Sequence, residues 1–488
     1  MLRKAFIVVF GLIVIAAGLF ASGYRLALDG SGKMPRFLNR SHDEALEADR
    51  ARQRELMAQA GAPGAPAFAP ATDAPAALNA PNAPVAPIAP ASAASSLRRG
   101  EPSSSWTDFR GPNRDGRYTA TPILTTWPRG GLQALWKQPV GGGYASFVVA
   151  DSRAFTIEQR RNQEVVAAYD VKTGRELWTN AWSAYFQEGM GGDGPRATPT
   201  FHEGRVYALG AQGELRALDA TTGKAVWNRN ILTDNDAYNL SWGMSASPLV
   251  VDDKLIVLPG GTRGNSVVAY NKANGSVVWK SQNDEQAYTS PMLVTLGGVR
   301  QILIVSANRA MGLSVDGQLL WQYPWDTFNG INVAQPIVFP HNGNDRIFLS
   351  ASYGKGAAVF ELTRSGEGFQ TKTIWENQRM KNKFTSSVFH DGFVYGLDES
   401  ILACLDANTG EQKWKGGRYG YGQIMLAGDH VIVLTEDGEV VLVKATPERH
   451  EEVGRFEAIS GKTWNHPVIA EGRLLVRNIQ EMAAFTIE

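Results

Sequence analysis

Seven histidines and one cysteine are the residues of this chain best suited to metal or nucleophilic chemistry. The histidines stand at positions 42, 202, 341, 390, 430, 450 and 466, so no two of them are two or four residues apart. Local zinc motifs need such close spacing, and none is predicted. Cys404 is the single cysteine, which excludes an intrachain disulfide and a CxxCH haem attachment and favours a small buried side chain.

Other chemical motifs are also missing from the sequence. The glycine-rich run GMGGDG at 189–194 leads into the strand-like RATPTF, so we predict a loop without the helix N-terminus that binds phosphate. Asp193 and Asp236 are acidic loop residues, but their spacing does not assemble a calcium site. Neither G-x-S-x-G nor a Walker loop occurs. We therefore predict no catalytic residue, no cofactor-binding residue and no metal ligand.

A different set of residues is suited to binding. Each member comes shortly before the innermost strand of a repeated unit described below, and the eight are Tyr144, Arg196, Trp242, Tyr288, Asn332, Lys383, Tyr421 and Trp464. Seven of these eight are aromatic or basic, and none is acidic. If they ring one mouth of an axial channel, they favour a small anion or a peptide carboxylate. Packing within loops is the alternative.

The elements that must position these residues form a repeat. Four clear copies are YDVKTGRELW at 169–178, LDATTGKAVW at 218–227, YNKANGSVVW at 270–279 and LDANTGEQKW at 405–414. Each contains an apolar strand, a Thr-Gly or Asn-Gly turn that needs positive φ, and a second strand ending on tryptophan. Each copy is therefore predicted to be a β-hairpin.

Two further strands precede each hairpin, and tryptophans recur every 40 to 55 residues or so, as expected for a four-stranded propeller blade. Eight units begin near Tyr144, Ala197, Ala246, Thr289, Ala334, Thr385, Gly422 and Asn465. The last unit has only three strands, and LQALWKQPV at 132–140 supplies the fourth. We predict an all-β fold over 106–488, an eight-bladed β-propeller of four-stranded antiparallel blades in which the N-terminal strand closes the C-terminal blade.

Seven tryptophans occupy equivalent positions in these units, namely Trp136, Trp178, Trp227, Trp279, Trp321, Trp375 and Trp414. A residue repeated from blade to blade favours packing between blades over ligand binding. Its indole N–H can find a backbone partner there.

The N-terminal part reads differently. Residues 1–24 carry an uncharged apolar run at 5–21 after Arg3 and Lys4, which predicts an uncleaved single-pass membrane anchor, with signal cleavage near Ala21 or Gly23 as the alternative. Residues 25–60 are a juxtamembrane segment with a solvated helix from Ser41. Residues 61–105 are rich in alanine and proline and predict a disordered linker.

Charge argues against nucleic acid as a partner. Lys plus Arg and Asp plus Glu both number 48, so no net field attracts a polyanion.

The repeat A-x-D-x-x-T-G-x-x-x-W and the segments WTDFRGPNRDG at 106–116, GDGPRATPT at 192–200 and NLSWGMSASPLV at 239–250 carry a family resemblance. They resemble the pyrroloquinoline-quinone-like (quinoprotein-type) β-propeller repeat family, and within it the BamB-like bacterial membrane-targeted propellers. The resemblance implies a non-catalytic scaffold that binds protein partners in the cell envelope, with its propeller in the periplasm. This chain departs from the BamB-like pattern because it lacks a lipidation cysteine and carries the long linker at 61–105.

The resemblance also implies two alternatives, a PQQ-dependent quinoprotein oxidoreductase and a propeller that binds a small ligand. The quinone enzymes of this superfamily hold their cofactor over calcium, often beneath a vicinal disulfide. A chain with one cysteine cannot form that disulfide. We therefore expect no cofactor and no enzyme activity, with PQQ kept as the alternative.

Overall fold

The computed structural model of the protein describes residues 14–19, 21–22, 24–27, 36–39, 41–59, 105–366 and 368–488. From residue 105 onward the chain forms an all-β propeller of eight antiparallel blades, as the repeat predicts. Most of the predicted anchor at 1–24 and nearly all of the linker at 61–105 lie outside the described residues. No helix within the described residues combines the length and the hydropathy that crossing a membrane requires.

Residues 14–19 are helical, and three further described elements precede the propeller. They are a two-stranded antiparallel hairpin of β1 (Tyr24–Ala27) and β2 (Arg36–Asn39), followed by helix α1 (Ser41–Gln59). The helix begins at the predicted residue, and most of its described side chains are exposed or half-buried, although one side of it contacts the propeller. Leu46 is fully buried, and the Arg50 guanidinium lies 3.5 Å from the Glu176 carboxylate of the propeller. This buried ion pair fixes the helix on the first blade. No local sequence pattern predicts it.

Two short strands, β3 and β4, lead into blades 1 to 4, each with four strands in chain order from the axis outward. Their bounds are β3 (Arg117–Tyr118), β4 (Ala134–Pro139); blade 1, β5 (Val148–Ala150), β6 (Arg153–Arg160), β7 (Gln163–Asp170), β8 (Glu176–Ser183); blade 2, β9 (Thr200–His202), β10 (Arg205–Leu209), β11 (Glu214–Asp219), β12 (Ala225–Asn230); blade 3, β13 (Leu249–Val251), β14 (Lys254–Val257), β15 (Val267–Asn271), β16 (Val277–Ser281); and blade 4, β17 (Met292–Leu296), β18 (Val299–Val305), β19 (Arg309–Leu313), β20 (Leu319–Pro324).

Blades 5 to 8 repeat the arrangement. Their bounds are, for blade 5, β21 (Ile337–His341), β22 (Asn344–Ala351), β23 (Gly356–Ser365), β24 (Gly368–Asn377); blade 6, β25 (Val388–His390), β26 (Phe393–Asp398), β27 (Ile401–Asp406), β28 (Gln412–Arg418); blade 7, β29 (Gln423–Ala427), β30 (His430–Leu434), β31 (Glu439–Lys444), β32 (Glu452–Glu457); and blade 8, β33 (Val468–Ala470), β34 (Arg473–Arg477), β35 (Glu481–Thr486). Two short 3-10 turns, Thr233–Asn235 and Phe328–Gly330, lie in connections between blades.

The ring closes as the sequence predicts. Strand β4 pairs antiparallel with β35, and Trp136 stands opposite Ala484 in that register. One blade departs from the four-strand rule, because β3 adds a parallel strand to β29 of blade 7, with Arg117 opposite Leu426. The N-terminal part of the propeller thus contributes to two blades, because β4 pairs with the outer edge of blade 8 and β3 pairs with the inner edge of blade 7.

Most of the recurring tryptophans contact the turn of the following blade. The Trp136 Nε1 donates to the Val171 carbonyl oxygen at 2.9 Å, and five of the other six make the equivalent bond. A Cβ on Gly174 would lie 2.6 Å from the Trp136 ring, so the repeated turn glycine is needed for this packing. Trp321 differs, because its Nε1 donates to Gln301 of its own blade.

Residues 106–116, called the axial segment below, enter the channel between the blades. The Trp106 and Val149 backbones exchange two hydrogen bonds of 2.8 Å, and the Phe201 N–H donates to the Thr107 carbonyl oxygen at 2.8 Å. These bonds attach the segment to the innermost strands of blades 1 and 2. The predicted start of the propeller at residue 106 therefore belongs to its centre rather than to its rim.

Two buried arginines hold the axial segment in place. Arg114 donates to the carbonyl oxygens of Ser247 and Pro291 at 3.1 and 2.9 Å, at the start of the innermost strands of blades 3 and 4. Arg110 donates to the Ser387 carbonyl oxygen of blade 6 at 2.7 Å. Both guanidinium groups are almost fully buried. The segment thereby fills the axis and cross-links blades that are distant in sequence.

Candidate functional site

A cavity of about 400 Å³ opens at the end of the axis where the innermost strands begin. Phe109 of the axial segment and His466 close its inner end, with their rings in an edge contact at 6.0 Å. The remaining lining of this mouth cavity consists of Tyr144, Met190, Gly191, Arg196, Trp242, Ser245, Tyr288, Phe328, Asn329, Ile331, Val333, Tyr353, Lys383, Phe384, Ser386, Gln423 and Trp464. A group that enters from outside therefore reaches a closed end rather than a passage.

The structure brings six of the eight predicted mouth residues together around this cavity, namely Tyr144, Arg196, Trp242, Tyr288, Lys383 and Trp464. Asn332 does not line it, because the side chain is buried and its Nδ2 donates to the Ser306 and Ala307 carbonyl oxygens. Tyr421 does not line the cavity either, but its ring centroid lies 4.4 Å from the Lys383 ammonium. Whether these residues bind a ligand stays a prediction.

Aromatic rings form much of the wall. Trp242 and Tyr288 of neighbouring blades lie with ring centroids 5.4 Å apart. In another sector of the rim, Trp464 lies 5.3 Å from Tyr144 and 4.3 Å from Phe384. Such tilted contacts hold each ring by its neighbours, so the wall is largely formed before anything binds.

The sequence reasoning missed several lining residues. They are Phe109, Met190, Phe328, Tyr353, Phe384 and His466. Phe384 directly follows Lys383, so the repeat position that predicts Lys383 at the mouth also indicates Phe384. Phe328, Met190 and Tyr353 lie in loops outside the repeat register and expose 62, 55 and 36 % of their surface. They extend the apolar lining outward onto the rim.

Arg196, one of the two predicted cations, is held by the backbone of a loop. Its Nη2 donates to the Gly192 carbonyl oxygen at 2.6 Å, and its guanidinium lies 4.7 Å from the Phe186 ring and 5.6 Å from the Tyr144 ring. Burial lowers the pKa of Arg196, although the nearby Glu188 opposes this shift. The loop at 189–194, predicted as a loop, supplies the backbone that orients this charge.

Lys383 stands on the other side of the rim. Its ammonium lies over the rings of Tyr421 and Phe384, and burial lowers its pKa. A third cation, Lys462, lies 3.8 Å from the ring centroid of Trp464. Carboxylates are present as well, since Glu436 accepts a 2.9 Å hydrogen bond from the Trp464 indole. The eight predicted positions contain no acid, but the surrounding shell does.

Several lining groups that could perform catalysis are already engaged. The two ring nitrogens of His466 lie 2.7 and 3.0 Å from the carbonyl oxygens of the next residue and of Ile424. Burial, with the Arg110 charge nearby, lowers the pKa of His466 to about 3. Ser245 donates to a backbone carbonyl, and Ser386 accepts from a backbone N–H. Neither serine is hydrogen bonded to the histidine, so the arrangement resembles a binding cavity more than a nucleophilic centre.

Metal and thiol chemistry find no support in the part of the chain that the structure describes. No group of three His, Cys, Asp or Glu residues is placed there to hold a metal ion. Cys404 is fully buried in β27, away from the mouth cavity, and burial raises the pKa of its thiol to about 12. It behaves as a packed core residue.

A family profile and an individual protein with the same description match this chain. The family profile described as "Outer membrane protein assembly factor BamB" matches residues 161–416, more than half of the chain. The BamB protein of Yersinia pestis is 27% identical over 292 residues, covering 54% of this chain and 70% of that protein.

Dehydrogenases are also similar. The 1-butanol dehydrogenase (cytochrome c) of Thauera butanivorans is 35% identical over 99 residues, covering 20% of this chain and only 14% of that protein. The solved quinohemoprotein alcohol dehydrogenase from Comamonas testosteroni superposes with a TM-score of 0.56 at 14% identity, covering 78% of this chain and 80% of that one. The superposition establishes a shared fold.

Proposed function

The chain belongs to the family described as outer membrane protein assembly factor BamB, and from that premise we propose that it is a non-catalytic binding scaffold of the bacterial cell envelope. Protein partners dock on the face of the propeller that carries the mouth cavity. The propeller lies in the periplasm, and residues 1–24 anchor it to the membrane through the linker at 61–105.

The observation that carries this proposal is the distribution of exposed apolar side chains. Around the mouth cavity, Met190, Phe328 and Tyr353 lie close to the aromatic wall, and Tyr238, in a loop joined to the same rim, exposes 92% of its surface. The other exposed large apolar residues of the propeller lie mostly on outermost strands and are at most 45% exposed. A concentration of strongly exposed apolar side chains on one face is typical of protein interaction sites.

A quinone-dependent oxidoreductase is the alternative, and the dehydrogenase relatives favour it. The residues on the axis do not suit that cofactor. Phe109, Arg110 and Arg114 occupy the channel behind the mouth cavity, and Cys404 has no second cysteine with which to form a disulfide. We propose no reaction through a quinone, and added PQQ with calcium should give neither stoichiometric binding nor dye reduction with alcohols or aldoses. If both PQQ binding and dye reduction were observed, an oxidoreductase function would replace the scaffold proposal.

Site-specific photo-crosslinking in living cells tests the scaffold. A photoreactive residue at position 328 or 353 should capture envelope proteins, because Phe328 and Tyr353 stand on the rim. The matched positions are Val277 and Leu319, which are exposed to 45 and 42% on outermost strands. Equal capture at rim and control positions, or capture at neither, would contradict docking on this face.

A topology assay tests the anchor. A reporter enzyme that is active only in the periplasm, fused after Glu488, should be active and should sediment with membranes. Deletion of residues 1–24 should abolish export of the fusion. A soluble periplasmic product from the full chain would instead support cleavage near Ala21 or Gly23.

A further inference from the structure

The end of the proposed membrane anchor lies close to the start of helix α1. Strands β1 and β2 pair so that Tyr24 stands opposite Asn39. Opposite residues of an antiparallel pair lie about 5 Å apart. Helix α1 begins two residues after Asn39, at Ser41. The hairpin therefore brings the chain back to its own beginning, and the anchor at 1–24 ends beside the first turn of α1.

Helix α1 contacts the propeller along much of its length. Near its start, the His42 Nε2 lies 2.8 Å from the Val140 carbonyl oxygen. Further along, the Gln53 Nε2 donates to the Gln138 Oε1 at 3.0 Å. These two contacts are separated by about 16 Å of helix. Both are made with the end of β4, the outermost strand of blade 8.

Between these contacts, Arg50 joins α1 to two blades at once. It donates to the Pro139 carbonyl oxygen of blade 8 and lies 3.5 Å from Glu176, the first residue of the outermost strand of blade 1. The Arg50 side chain is fully buried, as is Leu46 one turn earlier. Burial of a guanidinium is costly unless it gains such partners. The contact is therefore a specific interface at the junction of blades 8 and 1.

The burial of α1 follows the helical period. Among its described side chains, the buried and half-buried ones are at positions 42, 46, 47, 49, 50, 53 and 54, and the exposed ones are at positions 44, 45, 48, 51, 52 and 55. With 3.6 residues per turn, the first set occupies one side of the helix and the second set the other. One side of α1 is thus covered by the propeller, although this side is mostly polar.

The linker at 61–105 therefore begins and ends on the propeller. It follows α1, which ends at Gln59, and it leads into Trp106, whose backbone exchanges two hydrogen bonds with Val149 on the axis. A linker of this length reaches over roughly 140 Å when it is extended. None of that reach separates the propeller from the anchor while α1 is docked, because the connection through the hairpin and α1 is shorter.

We propose that the junction of blades 8 and 1, with helix α1 docked on it, is the surface by which the propeller is held at the membrane, and that the linker lengthens the tether only when α1 leaves the propeller. This inference rests on the proposed function, since it takes residues 1–24 as the membrane anchor. The connection between blades 4 and 5, which carries Phe328, lies across the ring from this junction. That part of the rim is then turned away from the bilayer and is open to partners.

Energy transfer from the propeller to lipid headgroups tests the proposal. The full chain is reconstituted in vesicles of phosphatidylethanolamine and phosphatidylglycerol that carry an acceptor dye on some headgroups, and a donor dye is added from outside to Leu135→Cys or Leu319→Cys. These positions are 41 and 42% exposed on the outermost strands of blades 8 and 4, and Cys404 is buried and stays unlabelled. Transfer from position 135 should be several-fold more efficient than transfer from position 319. A propeller that rotates freely on a long linker would give low and equal transfer from both.

Two changes in the Leu135→Cys protein identify the attachment. Arg50→Ala should lower the transfer to the level of position 319, because release of α1 adds the linker to the tether. Deletion of residues 66–90 should leave the transfer unchanged, and it still leaves roughly 60 Å of extended chain to connect α1 with the axis. Arg52→Ala is the matched control, because Arg52 is exposed on the same helix, and it should leave the transfer unchanged. Circular dichroism verifies that each protein is folded.

The contrary outcomes are distinct. Equal transfer from positions 135 and 319, or a rise in transfer when the linker is shortened, would overturn the attachment through α1 and make the linker the spacer. Unchanged transfer in an Arg50→Ala protein whose residues 41–59 have become sensitive to protease would overturn it as well. A full chain that does not sediment with the vesicles would refute the anchor and this inference together. If transfer behaves as expected but crosslinks at 328 and 353 are missing, the scaffold fails and the attachment stands.

Discussion

The indole ring of Trp106 is stacked on the imidazole ring of His466, with ring centroids 6.3 Å apart and planes inclined by 22°. Trp106 begins the axial segment, and His466 precedes the innermost strand of blade 8. Phe109 contacts the edge of the same imidazole. One histidine thus joins the filled axis, the last blade and the inner end of the mouth cavity.

Protonation of His466 should destabilise the protein in acid. Burial lowers the pKa of His466 from its ordinary 6.5 to about 3. Between these two pH values the unfolded chain binds a proton at this histidine and the folded chain does not. The free energy of unfolding is therefore unaffected by this group above pH 6.5, and it decreases as the pH falls from 6.5 towards 3. The expected slope from this group is about 1.4 kcal/mol per pH unit in that interval.

Urea unfolding between pH 7.5 and pH 4 measures this slope. His466→Gln removes the titrating group, and its free energy of unfolding should fall less steeply with acid than that of the unaltered protein. Parallel curves for the two proteins would assign the acid sensitivity to other groups.

Arg114 should be indispensable for the axial segment. Arg114 is 1% exposed, and its guanidinium pairs with Asp108 at 2.9 Å and donates to carbonyl oxygens of blades 3 and 4. Arg114→Met leaves these acceptors buried without their donor, and we expect a loss of about 3–5 kcal/mol in the free energy of unfolding. Arg300→Met is the control, because Arg300 forms a half-exposed ion pair with Asp252 and should cost less than about 1 kcal/mol. Similar losses in both would mean that the axial segment contributes little.

Much of the fold was predictable because the blades correspond to a repeat in the amino-acid sequence. The Thr-Gly turns and the recurring tryptophans mark one hairpin per blade, and the innermost strands begin within four residues of the predicted unit starts. The closing strand was also visible, since Trp136 continues the tryptophan repeat before the first complete blade.

The axial segment was not predictable, because it occurs once. Arg114 bonds with backbone carbonyl oxygens that are 133 and 177 residues away, and a carbonyl oxygen has no residue type that sequence could reveal. The same reason explains Asn332, which the repeat register placed at the mouth but whose amide turns inward to two carbonyl oxygens. Repeat position predicted where a residue sits and not what its side chain contacts.

Helix α1 should be released by a single substitution. Arg50 donates to the Pro139 carbonyl oxygen, lies 3.5 Å from Glu176 and stands 5.1 Å over the Tyr169 ring. Glu176 keeps Arg160 as a partner at 2.7 Å, so the propeller loses little when Arg50 leaves. We expect Arg50→Ala to expose residues 41–59 to protease while the melting temperature of the propeller stays nearly unchanged.

Arg52→Ala is the matched control for that experiment, because Arg52 is an exposed residue of the same helix. It should be cleaved at the rate of the unaltered protein. Equal protection in the Arg50 and Arg52 variants would show that Leu46 and the other helix contacts suffice.

Closure of the ring should depend on β4 and not on the residues before the axial segment. The described residues before 105 add no strand to any blade, so a protein that begins at residue 105 should fold with a melting temperature close to that of the full chain. A protein that begins at residue 141 lacks both the axial segment and β4 and should not fold stably, because β35 becomes an open edge.

Trp136→Ala in the protein that begins at residue 105 isolates the contribution of the closing strand. The Trp136 ring is 8% exposed and packs against Gly174, and its Nε1 donates to the Val171 carbonyl oxygen. Replacing the indole side chain by a methyl group removes this packing and the hydrogen bond together, so we expect a loss of about 3–5 kcal/mol in the free energy of unfolding. Leu135→Ala is the control in the same strand, since Leu135 is 41% exposed and should cost far less. Equal free energies for the two variants would mean that β4 pairs with β35 without holding blade 8 to blade 1.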